Sequence, residues 1–182
     1  MGQEEKTIEQ FEQIKAICLE IFTKKMQDYG SAWRILRSSS LTDQIFIKAQ
    51  RIRSIQDKGT QKIDEGIKPE FIGIVNYSVM ALVQLEMGHA QQPDLSTGQA
   101  TEKYIYYYDK ARRLMQDKNH DYSEAWREMR ISSLADIILM KLLRIKQIED
   151  NQGQTTISEG IDANFYDIIN YAVFALIKLE EG

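Results

Sequence analysis

The chain has 182 residues, a formal net charge of −4, 43% hydrophobic and 27% charged residues. That is the composition of a soluble globular protein, without the excess positive charge that non-specific binding to a nucleic-acid backbone requires. The one cysteine, Cys18, excludes an internal disulfide or a cysteine metal cluster. No run approaches the roughly 18 apolar residues of a membrane helix, and the polar, acidic start MGQEEKTIEQ carries no secretory pattern. The expectations are therefore a cytoplasmic location and no membrane partner.

The first predicted helix covers 8–27 and runs into KMQDYGSAW (25–33), a turn or short helix. The second begins after Ser40 and ends near Lys58. SLTD (40–43) has the Ser-x-x-Asp form of a capping box, with Ser40 as N-cap. The third starts near Pro69, since a proline's missing N–H does no harm at the first helical position. GHAQQPDLSTGQAT (88–101) reads as a linker. The same order then returns: a helix over 102–118, the stretch KNHDYSEAW (118–126), a helix from Ser133 to about Asn151 opening on SLAD (133–136), and a last helix near Ala163 with Asp162 as N-cap.

The return is a duplication. Residues 28–57 match 121–150 without a gap, and 65–86 match 159–180 after one inserted residue. The predicted fold is all-α: a tandem pseudo-two-fold repeat of three-helix units forming one helical bundle. The first repeat is 1–87, the linker 88–101, the second repeat 102–182. A unit of about 80 residues has a marginal core alone, so the copies are expected to pack with two long helices from each in a four-helix core.

Several polar residues recur where simple helix design has no use for them. Lys141 falls in the middle of the apolar face of Leu134, Ile137, Ile138, Ile145 and Ile148, with Arg144 flanking it; Lys48 and Arg51 repeat the arrangement. A buried ammonium needs a partner, although a lysine can also reach water over its own stem. The last helix is apolar nearly all round, which makes it central. Asp167 and Asn170, followed by Tyr171, point inward together from it. The first copy keeps Asn76 and Tyr77 but has Gly73 for Asp167. Asp121 ends a helix, where an acid opposes the macrodipole. Lys118, Tyr122 and Trp126 beside it suit phosphate contact and base stacking, or simply close the bundle end. Asp167, Glu159 and Asp121 are the candidate ligands of a magnesium ion. The same residues serve equally as an internal salt-bridge network. With only His89 and His120 present, neither a histidine metal site nor a Ser-His-Asp triad is expected.

The series KxxDYxxAW, SSLxDxIxxKxxRI and EGIxxxFxxIxNY resembles a family of helical bacterial and phage proteins, the nucleotide-modification-associated domains, over nearly all of both copies. The resemblance implies an association with nucleotide or DNA-base modification. The arrangement is more distantly similar to the all-α nucleoside triphosphate pyrophosphohydrolases, which implies helical bundles, Mg²⁺ and phosphohydrolase activity. Asp167-x-x-Asn170 approximates one of that group's acidic motifs, while Lys141 and Arg144 stand where the other would be.

Two functions follow from these readings. One is a protein that binds or processes a nucleotide or other phosphorylated small molecule, through Lys118, Tyr122, Trp126, Lys141, Arg144, Asn170 and Tyr171, with Lys48 and Arg51 as first-copy counterparts. The other is a non-catalytic helical interaction or scaffold module whose repeated polar residues are structural. Oligomeric assembly stays open in either.

Overall fold

Apolar residues three and four apart fold into six long helices in a computed structural model, which describes residues 2–59, 63–122, 124–156 and 159–182, the side chains at 63–64 and 119–122 excepted. Helix α1 is Gln3–Tyr29, α2 Ser38–Lys58, α3 Ile63–Met87, α4 Thr97–Tyr122, α5 Ile131–Asp150 and α6 Ile161–Glu181. A 3₁₀ turn precedes α2 (Ala32–Ile35) and another precedes α5 (Ala125–Glu128). There is no strand among the described residues.

Helices α2, α3, α5 and α6 form the expected four-helix core: α2 packs on α3, α5 on α6, α3 on α6 and α2 on α5. Helices α1 and α4 pair with each other and lie on α3 and α6, forming a third layer. The middle layer is therefore covered on both sides. Residues 164–170 and 172–177 of α6 are all buried, on every side of the helix. Each fully buried Ile, Leu or Phe in such a layer contributes about 1.5–3 kcal/mol.

Several helix starts differ from expectation. Arg37 and Arg130, not Ser40 and Ser133, occupy the N-cap positions of α2 and α5, and neither makes a side-chain cap. Asp43 and Asp136 instead face the other repeat: Asp43 meets Lys146 at 3.2 Å and Asp136 meets Arg53 at 4.0 Å. Pro69 lies inside α3, which begins six residues earlier at Ile63. Gly160, rather than Asp162, is the N-cap of α6. Helix α4 starts inside the expected linker, at Thr97. There Ser96 and Gln99 form a reciprocal capping box, with Gln99 N–H donating to Ser96 Oγ and Ser96 N–H to Gln99 Oε1.

The connecting segment is held by Arg34, only 2% exposed. Its guanidinium donates to Asp94 Oδ1 at 2.9 Å and to the Gly88 carbonyl at 2.8 Å, and contacts Gln84. Gln84 in turn donates to the Arg34 carbonyl at 2.9 Å. The second repeat reproduces this with different chemistry. Lys178 donates to the Arg127 carbonyl at 2.7 Å, while the Arg127 guanidinium binds Glu124, Thr7, Gln10 and Glu181. Each arginine thus ties a 3₁₀ turn to neighbouring helix ends.

Arg34→Met should cost about 3–5 kcal/mol in urea unfolding, because the acceptors it serves lie in a buried network. Asp94→Asn, at the exposed end of the same bond, should cost clearly less.

Candidate functional site

The 3₁₀ turn Ala125–Glu128 sets the position of Trp126. Glu124, at its start, is buried with φ 62°, a left-handed conformation that a non-glycine residue adopts only when held there. Arg127 holds it, donating from Nε to Glu124 Oε2 at 2.8 Å. The Arg127 guanidinium also lies over the Trp126 ring at 4.3 Å. Phe174 of α6 stacks on that indole at 4.3 Å and 7°. The ring is 5% exposed. Its stacking surface is thus engaged by protein groups, and the residue lines a cavity.

That cavity has a volume of about 280 Å³ and is lined by Met115, Lys118, Trp126, Asp167, Asn170 and Phe174, among others. Asn170, also 5% exposed, donates from Nδ2 to the Ala111 carbonyl at 3.0 Å. Its Oδ1 and the Trp126 Nε1 are both buried without a hydrogen-bond partner among the described residues. The first repeat explains why. There Asn76 donates to the Cys18 carbonyl at 3.1 Å and its Oδ1 accepts from the Tyr104 hydroxyl at 2.6 Å. The residue in the register position of Tyr104 in the first copy is Phe11, which has no hydroxyl to offer Asn170. Trp33 likewise finds a partner, with Nε1 3.4 Å from Met26 Sδ.

The charged residues form a chain across the cavity mouth. Asp167 accepts from Lys118 at 2.7 Å through Oδ1 and from Lys141 at 2.8 Å through Oδ2. Burial opposes the charge on Lys118, but the hydrogen bond and charge of Asp167, with help from Glu159, outweigh it and raise the lysine's pKa above its ordinary value. Lys141 faces a second, polar cleft of about 700 Å³, shared with Arg144 and Glu159. Asp167 therefore joins an apolar cavity to a polar one. Lys118, Trp126, Asp167, Asn170 and Tyr171 come together around the first hollow; Lys141, Arg144 and Glu159 come together around the second. Arg144 and Glu159 are exposed. The side chains of Asp121 and Tyr122 lie outside the described residues.

Of the expected magnesium set, Asp167 and Glu159 have described side chains and Asp121 does not. Both Asp167 oxygens accept from ammonium groups, Glu159 lies on the far cleft, and among the described residues no three Asp, Glu, His or Cys side chains converge.

In the first copy, Lys48 and Arg51 share Glu70, at 3.5 and 3.0 Å. Lys48 also lies over the Tyr77 ring at 5.5 Å. Arg51 is exposed. Glu70 stands one helical turn before Gly73, and its counterpart in the second copy is Asn164. The carboxylate has thus changed places along the helix between copies. Position 70 against 164, read together with 73 against 167 at a spacing of i and i+3, carries this exchange in the sequence. The Arg34 and Arg127 anchors were equally visible, as the arginine following the tryptophan in both motifs.

Residues 25–85 and 118–179 each match the family model nucleotide modification associated domain 1. The chain belongs to that family. Its two nucleotide modification associated domains account for both three-helix units from the lysine of KxxDYxxAW onward. Comparison with curated proteins and with solved structures gives no match. The cavity lies wholly within residues of the second such domain and the end of its preceding helix.

Asp167→Asn should destabilise the fold by about 3 kcal/mol, since it strands ammonium groups that are partly buried. A lysine with a raised folded pKa stabilises fully below its unfolded pKa and loses that contribution as pH rises through the folded value. Urea melts of both proteins from about pH 7 to about pH 11 should therefore show the gap shrinking only at the alkaline end. A gap independent of pH would remove Lys118 from the account.

Proposed function

We propose that the second repeat binds a nucleotide or nucleotide-like phosphorylated small molecule, with the organic part in the 280 Å³ cavity and the anionic part toward the lysines. The observation that carries this reading is the buried pair of unpartnered groups, Trp126 Nε1 and Asn170 Oδ1, on two residues that line the same cavity. Leaving such groups without partners costs about 1–3 kcal/mol each. A ligand with one acceptor and one donor on its edge, as every nucleobase has, satisfies both. Met115, Met129 and Phe174 give that ligand an apolar seat. Lys118, with 53% of its side chain exposed, offers charge at the mouth. Lys141 and Arg144 extend the positive surface into the next cleft. The family's association with nucleotide modification agrees with this ligand class.

The reading is one of binding. Metal-dependent phosphohydrolysis needs carboxylates free to hold Mg²⁺, and both Asp167 oxygens accept from lysines. The scaffold alternative draws on the first repeat, where Lys48, Arg51 and Glu70 pair off and Asn76 is fully bonded.

Thermal unfolding with nucleosides and the matching nucleotides tests the proposal, because a ligand of the native state must raise its stability. Nucleotides should raise the melting temperature. Trp126→Phe, which keeps the ring and removes the N–H, should weaken binding about tenfold. Lys118→Met should weaken nucleotides and leave nucleosides unchanged. If no nucleotide shifts the melting curve at concentrations up to about 10 mM, the affinity is too weak to support the reading.

A further inference from the structure

The first repeat has its own cavity, of about 330 Å³, in the place equivalent to the second repeat's. Its walls carry a different charge from the Lys118 and Asp167 of that cavity. Lys25, Lys48 and Lys68 line it, together with apolar Phe22, Ile72 and Met80, and among the described residues no Asp or Glu does. Two differences one turn apart on the third helix of each repeat produce this. Where α6 has Asn164 and Asp167, α3 has Glu70 and Gly73. The carboxylate thereby leaves the cavity wall and turns mainly to Arg51, at 3.0 Å, with Lys48 at 3.5 Å.

Glycine at 73 completes the change. A Cβ there would lie 2.7 Å from Lys48 Cδ and Cε and 3.1 Å from Nζ. The absent side chain is what lets Lys48 lie across the helix and enter the cavity lining. Helix interiors disfavour glycine, so the position is occupied against local propensity. Lys25 stands exposed at the same cavity and makes no ion pair among the described residues. A smaller hollow of about 230 Å³, bounded by Tyr29 and Trp33, shares Phe22, Lys25, Tyr77 and Met80 with it. An aromatic and methionine-lined recess thus continues from a cavity lined by three lysines, of which Lys48 meets Glu70, Lys68 meets Glu180 and Lys25 makes no ion pair among the described residues.

We infer that the first repeat is a second, non-equivalent binding site, which takes a small organic anion: a flat apolar ring bearing a phosphate or carboxylate group. The ring occupies the recess beside Trp33 and Tyr77, and the anion meets Lys25 and Lys48. The two repeats then differ in what they read. The second presents an unpaired donor and acceptor; the first presents charge, its Asn76 being already satisfied. This inference is independent of the proposed nucleotide site.

Phenyl phosphate is a suitable probe and phenol its uncharged counterpart, titrated into the full ¹⁵N-labelled chain and followed by NMR. The two indole N–H signals report the two repeats separately. Phenyl phosphate should shift Trp33 and the amides of Lys25, Gly73 and Asn76, with phenol at least about tenfold weaker. Gly73→Asp, which returns a carboxylate to the wall, should weaken phenyl phosphate about tenfold or more. Lys25→Ser, at an exposed position that cannot threaten folding, should weaken it about threefold, and Asp167→Asn should leave it unchanged. Equal binding of phenol, no loss in Lys25→Ser, or shifts confined to Trp126 and the second repeat would each overturn the inference. The last result would leave the nucleotide proposal standing, and shifts confined to Trp33 would leave it untouched.

Discussion

Helices α3 and α6 are covered on both sides, so a polar side chain on either must find its partner inside the protein. Much of the rest follows from that constraint. Asn76 is met by a carbonyl and a tyrosine, Gln84 and Lys178 reach the carbonyls of the two anchoring arginines, and Asp167 is met by two lysines from different helices. The central layer sets the positions of the outer layers through these bonds as well as through apolar packing. Among the described residues two atoms escape the rule, Ser78 Oγ on α3 and Asn170 Oδ1 on α6, and the second belongs to a residue that lines the cavity together with Trp126, whose indole N–H is also unpaired.

The duplication has kept the backbone and altered the chemistry. Exchanging the positions of an acid and a small or neutral residue along one helix face moves a carboxylate by a single turn. Each lysine still has an acid within reach, so neither repeat is left with a stranded ammonium. Tyr104 and Phe11 make the complementary exchange on the first helices. Such paired differences preserve stability while giving the two cavities different surfaces.

The number of helices, their pairing into a four-helix core and the central burial of α6 were legible in the sequence, because the repeat supplied two readings of one pattern and apolar residues surround positions 165–177. The partnership of Lys141 with Asp167 was also legible as one of two alternatives, since a lysine in an apolar stripe calls for an acid. The buried stripe of α5 centres near Ile138 and that of α2 near Ile45, which leaves both lysines toward its edge. The helix starts were misread where a local motif had a stronger use elsewhere: Asp43 and Asp136 are drawn to cations of the opposite repeat rather than to backbone N–H groups. Pro69 reads as a boundary because its own constraint is local, while α3 begins six residues before it. The unpaired atoms of Trp126 and Asn170 could not be read from one chain position at a time. That of Asn170 depends on which hydroxyl is missing across the pseudo-two-fold, and that required placing Phe11 against Tyr104.

The crossed contacts between α2 and α5 have a further consequence. Asp43 of one repeat meets Lys146 of the other, while Asp136 meets Arg53, and each pair occupies matching positions with the repeats interchanged. That reciprocity is the pattern of an isologous interface, the kind two identical subunits make about a two-fold axis. Joining the halves through 88–96 turns such an association into an intramolecular event, governed by effective concentration rather than by the amount of protein present. A symmetric dimer must mutate both of its sites together. The tandem chain is released from that coupling, and its two cavities are free to specialise within one folded unit.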